Sequence, residues 1–507
     1  MFGWVSKFLS RSTPFCGERT LSDAALSPRQ VRIVRAKYDA AQTTDDNTRH
    51  WVNSDNLSAN AANSASVRRT LRNRARYEVA NSSYAKGIVL TLANDAIGTG
   101  PRLQMLLRDT PELNTDIETR WSEWADRVGL AAKLRTMRMA EVTDGEAFAL
   151  FGNTSAEDDE VTVTLDLKLI EADQVSSPLL NIFDANAIDG IRIDTFGNPT
   201  EYDVLKYHPG DSAFGWTDEV NTYPAYKVIH LFRADRPGQY RGVPELTPAL
   251  ELFAQLRRYT EAVIAAAETA ADFAAVIYSD MPSSNDVDVV APLDTIEIEK
   301  RMMTTMPYGY KVEQLRAEQP SSTYGEFKNH ILNEIARCLN MPFNVAACNS
   351  SSYNYASGRL DHQVYFKSIL VERRYLEVAC LSRIFILWYA EARRVYGWPD
   401  VPIQHEWHWD GYEHVDPESE ANALMTRLSI GMATHPGEWA RDGKDWEGQM
   451  NQGAKALGIP LADYQALVRL KLFGQPPSAP AESTPAASAT RNGNGKSRNG
   501  TEAVSRR

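Results

Sequence analysis

Apolar positions along the 507 residues fall into alternating regimes of spacing. Val67, Leu71, Ala75, Val79, Tyr84, Ile88, Leu92 and Ala96 recur at helical intervals, which predicts a helical segment over about 67–96. Gly98-Thr99-Gly100-Pro101 stops it. Pro111 opens a second helix over about 111–128, with Trp121 and Trp124 on one side, and another spans about 132–144. Between 146 and 232 the period drops to two. Val161 to Leu167, Ile191 to Asp194, Tyr202 to Leu205 and Val228 to Phe232 are short runs bounded by Gly, Pro and Asn, so this block is β-rich.

Helical spacing then returns. Pro244 to about Phe273 predicts a rod of roughly 43 Å, Ala-rich from Ala262 to Ala275, so that neighbouring helices can approach closely. Residues 276–318 hold short strands and turns, punctuated by Pro282, Pro292 and Pro307. A helix over about 321–340 carries Phe327, Ile331, Ile335 and Leu339 on one stripe and ends at Asn340-Met341-Pro342. An irregular polar stretch leads to a helix over about 359–396, roughly 57 Å long, stopped by Gly397-Trp398-Pro399. A strand near 402–409 and helices over about 416–432 and 461–472 follow. Residues 1–66 read as an extended arm, and the Pro-, Ala-, Ser-, Gly- and Asn-rich segment from Gly474 onward as a disordered tail. The expected class is α+β, mainly α, in several domains.

Composition narrows the function classes. Lys and Arg total 54 against 66 Asp and Glu, a net charge of −12, which argues against a general nucleic-acid coat. It leaves open a channel through which DNA passes without sticking. Cys16, Cys338, Cys348 and Cys380 form no CxxC pair, so a reducing compartment is the default. The amphipathic start MFGWVSKFLSRSTPF shows no secretory core, and the most apolar run, Ile384 to Ala390, is far shorter than the ~18 residues of a spanning helix.

Catalytic patterns are weak. Gly495-Lys496-Ser497 resembles the end of a phosphate loop, but Thr490 stands where the earlier glycine belongs, and no strand and helix frame it. His405, His408, Asp410 and His414 invite a metal reading, but His405 and His408 on one strand face opposite sides. Ser83 and Lys86 match S-x-x-K inside an amphipathic helix and have no companion motifs. The expectation is a protein with no catalytic residue, metal or cofactor.

Several segments in order are similar to the lambda-type tailed-phage portal family. They are Tyr77 to Val89 leading to Ala96-Ile-Gly-Thr-Gly-Pro-Arg-Leu-Gln, then His230-Leu-Phe-Arg with Arg236-Pro-Gly-Gln-Tyr-Arg-Gly-Val-Pro-Glu. Ile335-Ala-Arg-Cys-Leu-Asn-Met-Pro-Phe with Asn354-Tyr-Ala-Ser-Gly-Arg completes the set. The resemblance covers about 67–415 and implies a portal fold with a β-rich wing segment, helical stem, small clip, long wing helix and helical crown. It places the wing at 67–243 and 359–415, stem helices at 244–273 and 321–340, the clip at 274–320, a tunnel loop at 341–358 and the crown at 416–473.

The same resemblance implies a ring, twelve-fold in the virion, at a capsid vertex and assembled in the host cytoplasm. Double-stranded DNA would pass through it. The terminase large subunit, major capsid and scaffold proteins, and head-completion and tail connector proteins would bind it. Candidate DNA-channel residues are Asn349, Ser350, Ser351, Ser352, Tyr353, Asn354 and Tyr355, because uncharged polar side chains can hydrogen-bond phosphate without holding it, together with Arg359, which would add a shallow electrostatic ring at the loop's end. An alternative for this loop is a connector with no DNA contact. The span 273–318 carries eight acidic and four basic residues, and Asp286 and Asp288 are the candidate terminase-docking positions. The competing functions are a head or tail adaptor without a DNA channel and a virion-associated hydrolase.

Overall fold

The computed structural model describes residues 44–45, 47–107, 110–154, 162–177, 187–211, 219–272, 276–279, 310–313, 323–412 and 417–473. Contacts divide the chain into Met1–Leu57 and Ser58–Arg507. In the first unit the described residues hold one 3-10 turn, Thr48–His50, with the Thr44 N–H donating to Asn47 Oδ1 at 2.7 Å.

The second unit is a mixture of helix and sheet in which helices dominate. Ser58 caps a single turn, α1 (Ala59–Ala62). α2 (Ala65–Asn81) and α3 (Ser83–Ile97) follow, where spacing alone predicts one helix. Ser82 adopts extended backbone, φ −110° and ψ 120°, and its hydroxyl accepts from the Ala85 N–H at 3.4 Å. Short polar side chains offer the backbone this alternative to a helical hydrogen bond, and they do so without disturbing the apolar spacing. β1 (Arg102–Met105), α4 (Pro111–Arg127) and α5 (Leu130–Asp144) come next.

The β block then builds two sheets. β2 (Glu146–Asn153) lies between β3 (Leu165–Ile170) and β8 (Val228–Phe232), all antiparallel. β4 (Ala187–Ile188), β5 (Ile191–Ile193), β6 (Pro199–Leu205) and β7 (Val220–Pro224) form the other sheet in that order. α6 (Leu250–Asp272) and α7 (Thr323–Arg337) flank an antiparallel pair, β9 (Val276–Ser279) with β10 (Tyr310–Glu313). After α8 (Phe343–Ala347), α9 (Tyr355–Leu376) runs through a π-helical stretch, Glu377–Leu381, into α10 (Ser382–Tyr396). The combined helix is about 63 Å long. β11 (His405–His408) returns to pair with β1. α11 (Pro417–Ser429), α12 (His435–Arg441), α13 (Trp446–Leu457) and α14 (Leu461–Phe473) close the described chain. No helix among the described residues is long and apolar enough to cross a membrane.

Two large cores share the long helix. Tyr365 and Ile369 of α9 sit with Leu92, Phe253, Leu332, Ile335, Met341 and Phe343 in one core. Leu376, Leu381, Phe385 and Trp388 sit with Trp121, Trp124, Ala149, Ile229 and Leu231 in the other.

A buried ionic hub draws Arg241 and His230 from the segments that carry the family resemblance. Arg241, 2% exposed at its side chain, grips the fully buried Glu146 through Nη2 at 2.7 Å and Nε at 2.9 Å. Arg72 Nη2 reaches the same carboxylate at 3.0 Å, His230 Nε2 lies 3.3 Å away, and the Gly242 N–H donates to it at 3.0 Å. A Cβ at Gly242 would collide with the Gly145 carbonyl oxygen, so the close approach of these two chain segments requires glycine. Burial raises the carboxyl pKa of Glu146, but Arg241 and His230 outweigh that and hold it well below the usual carboxylate range.

A second cluster joins α5, α9 and the segment leading into α6. Arg138 on α5 bonds Glu245 at 2.8 and 3.2 Å and Glu141 at 3.1 Å, and its Nε lies 3.5 Å from Glu372 of α9. Arg233 also approaches Glu245, at 3.8 Å, but two guanidiniums cannot neutralise three carboxylates. Burial, opposed by Arg138 and reinforced by Glu372 and Glu245, pushes Glu141 up to about 8.

Candidate functional site

The polar stretch between α7 and α9 is the most function-like feature of the sequence, and the structure shows how it is held. α7 ends through Asn340, whose φ of 52° is left-handed, while the Met341 N–H donates to the Ala336 carbonyl at 3.1 Å. Met341, Phe343 and Ala346 then bury themselves in the core. This burial winds Phe343–Ala347 into the short α8, where the spacing predicts irregular chain.

The second boundary also moves. The long helix starts at Tyr355, four residues before the expected Arg359. Asn354 Oδ1 accepts from the Ser357 N–H at 2.9 Å, and Ser357 Oγ accepts from the Asn354 N–H at 3.3 Å, a reciprocal cap. The expected loop over 341–358 therefore contracts to Cys348–Asn354.

Within that span Asn349, Ser350, Ser351 and Ser352 are exposed and adjacent. The Ser351 N–H donates to Asn349 Oδ1 at 3.0 Å, and the Tyr353 N–H to the Ser350 carbonyl at 3.1 Å, so the tip is a pair of tight turns. Tyr353 is half-buried against the core, where burial and then Asp361 raise its phenol pKa. Asn354 is spent on the cap. Tyr355 is the first helical residue, and Arg359 is exposed one turn later. The structure thus brings four of the eight candidates together at one exposed tip. Asp286 and Asp288 lie outside the described residues, as does His414.

Sequence reasoning missed His362, whose Nε2 lies 2.9 Å from Asn344 Nδ2 and ties the base of the loop to the long helix. A polar residue at helical spacing gives no signal of such a contact. Among the described residues the β11 histidines join no common metal cluster. His405 packs on Phe385 at 4.5 Å between ring centres, and His408 contacts Gln104. Glu171, Asp173 and His208 do converge, but Arg76 lies 3.2 Å from Glu171 and 2.8 Å from Asp173, so a guanidinium already serves those carboxylates.

The family model described as "Phage portal protein, lambda family" matches residues 44–373. A protein of Halomonas phage phiHAP-1 named "Probable portal protein" is 24% identical over 436 residues, 77% of this chain and 82% of that protein. The portal protein of Escherichia phage N15 is 22% identical over 425 residues, 73% of this chain and 80% of that protein. A chain in the solved virion of a native gene transfer agent particle is 14% identical with a TM-score of 0.44, covering 76% of this chain and 93% of that one. With the family model matched over most of its length, this chain belongs to the lambda family of phage portal proteins.

Proposed function

We propose that copies of this chain close into a ring at one capsid vertex, twelve-fold in the virion, and that duplex DNA is packaged and ejected through its axis. Family membership over residues 44–373 carries this reading. In this reading the wing comprises 67–243 and 359–415, the stem is formed by α6 and α7, and the clip is the insert between them. The crown comprises the helices after 416, and the exposed tip at Asn349–Ser352 faces the channel. A tip without fixed charge suits sliding DNA, because each cation on a phosphate strengthens salt-dependent binding. The terminase large subunit docks on the clip during packaging, and head-completion and tail connector proteins replace it later. Capsid and scaffold proteins surround the wing.

Deleting Ser350–Ser352 keeps the Asn354 cap and tests the channel role. Rings and proheads are expected to form normally while retention of packaged DNA falls. Full-length genomes retained at the normal level would make the loop a connector. Charge reversal at Asp286 and Asp288 is expected to weaken terminase docking with rings intact, and unchanged docking would move that site elsewhere.

A further inference from the structure

The long helix exposes an apolar strip that no described part of its own chain covers. Leu360, Val364, Val371, Val378 and Ile386 are 65%, 58%, 66%, 58% and 58% exposed. Their spacing is close to a heptad repeat, which keeps side chains on one face. The step from Val378 to Ile386 is one residue longer. In a regular helix eight residues at 100° each would carry Ile386 about 80° off the strip. The π-helical stretch Glu377–Leu381 takes up the additional residue and turns it back. The strip runs about 39 Å and is one helix wide, on the order of 400 Å². A stable interface covers roughly 800 Å² per partner, so the strip supplies about half of one side.

Charge identifies the complementary face. Exposed charges on α9 and α10 are Arg359, Lys367, Arg374 and Arg394 against Asp361, a cationic border on a chain of net charge −12. On α6 and α7, exposed Glu251, Glu261, Glu268, Glu326 and Glu334 outnumber Arg258 and Arg337. Ile264 and Phe327, 53% and 48% exposed, lie on the same two helices and offer apolar contact. The exposed face of α4 is also acidic, with Glu112, Asp116, Glu123 and Asp126 against Arg120 and Arg127, but it has no exposed large apolar side chain.

We infer that the α9–α10 strip of one copy packs on the acidic α6–α7 face of a second copy, a head-to-tail contact between unlike surfaces. Such a contact propagates and closes into a ring, whereas a contact between like surfaces ends at a dimer. This inference rests on the ring reading above.

The test uses the full chain with two variants. V371D/V378D disables the strip, and I264D/F327D disables the opposite face. All four positions are exposed, and circular dichroism and melting temperature check that each variant folds. Each variant alone is expected to be monomeric by mass photometry. Mixed, they retain one intact face each and are expected to form dimers and nothing larger. Rings from either variant, beside wild-type rings, would overturn the inference and leave the ring reading standing. Variants that stay monomeric when mixed would overturn the pairing of these two faces. A wild-type chain that never assembles would overturn the ring reading itself.

Discussion

Replacing Arg241 with Met tests whether the buried hub organises the fold. The change keeps an unbranched apolar stem but removes the guanidinium that contacts Glu146 at 2.7 and 2.9 Å. It also withdraws donors from the Val175 carbonyl at 3.0 Å and the Ala172 carbonyl at 3.3 Å. Breaking a buried pair by removing one partner costs about 3–5 kcal/mol, because the remaining charge is left uncompensated. Arg72 stays 3.0 Å from Glu146, so the lower half of that range, about 3–4 kcal/mol, is expected. Urea unfolding at pH 7 reads it. Removing both charges in R241M/E146Q is expected to cost less than R241M alone.

The pH dependence follows from linkage. Glu146 has a folded pKa below its unfolded value of about 4.5, so its stabilisation is present above that pH and is lost as pH falls through the folded pKa. The gap between wild type and R241M is therefore expected to narrow in acid. A loss below ~1 kcal/mol, or a double variant as unstable as the sum of the singles, would show that Arg241 and Glu146 do not act as a coupled buried pair.

Glu141 has the opposite sign. Its folded pKa of about 8 lies above the unfolded value of 4.5, so its contribution is full below pH 4.5 and disappears as pH rises through about 8. Glu141→Gln is expected to flatten the stability profile across that window, and an unchanged profile would contradict the assignment. Asn354→Ala removes the cap of the long helix and is expected to cost about 1 kcal/mol and to speed hydrogen exchange in its first turn. Equal loss from Ser351→Ala would show that the cap is not what sets the boundary.

The long elements were legible because burial repeats along them. α4, α5, α7 and the long helix lie within a few residues of the positions their apolar spacing predicts. Shorter elements carry too few repeats. β1 has four residues, and its pairing with β11 depends on chain some 300 positions away. α12 and α13 contain Gly437, Gly448 and Gly453, which weaken helix propensity and hid both helices. The ionic hub has no period at all. Arg241 and His230 stand out in the sequence only as parts of segments that resemble the family, and Arg72 and Glu146 carry no signal. Their roles emerge when β2, α2 and the 236–245 segment meet. At the loop, composition identified an exposed polar tip, while the burial of Phe343 and the Asn354 cap shortened it.

Imaging of the purified full-length chain along the particle axis shows whether its copies close into a ring. Closed rings of many 56.6 kDa copies around an axial hole wide enough for duplex DNA are expected. A single 56.6 kDa species over a wide concentration range, or closed particles without an axial hole, would contradict the ring reading.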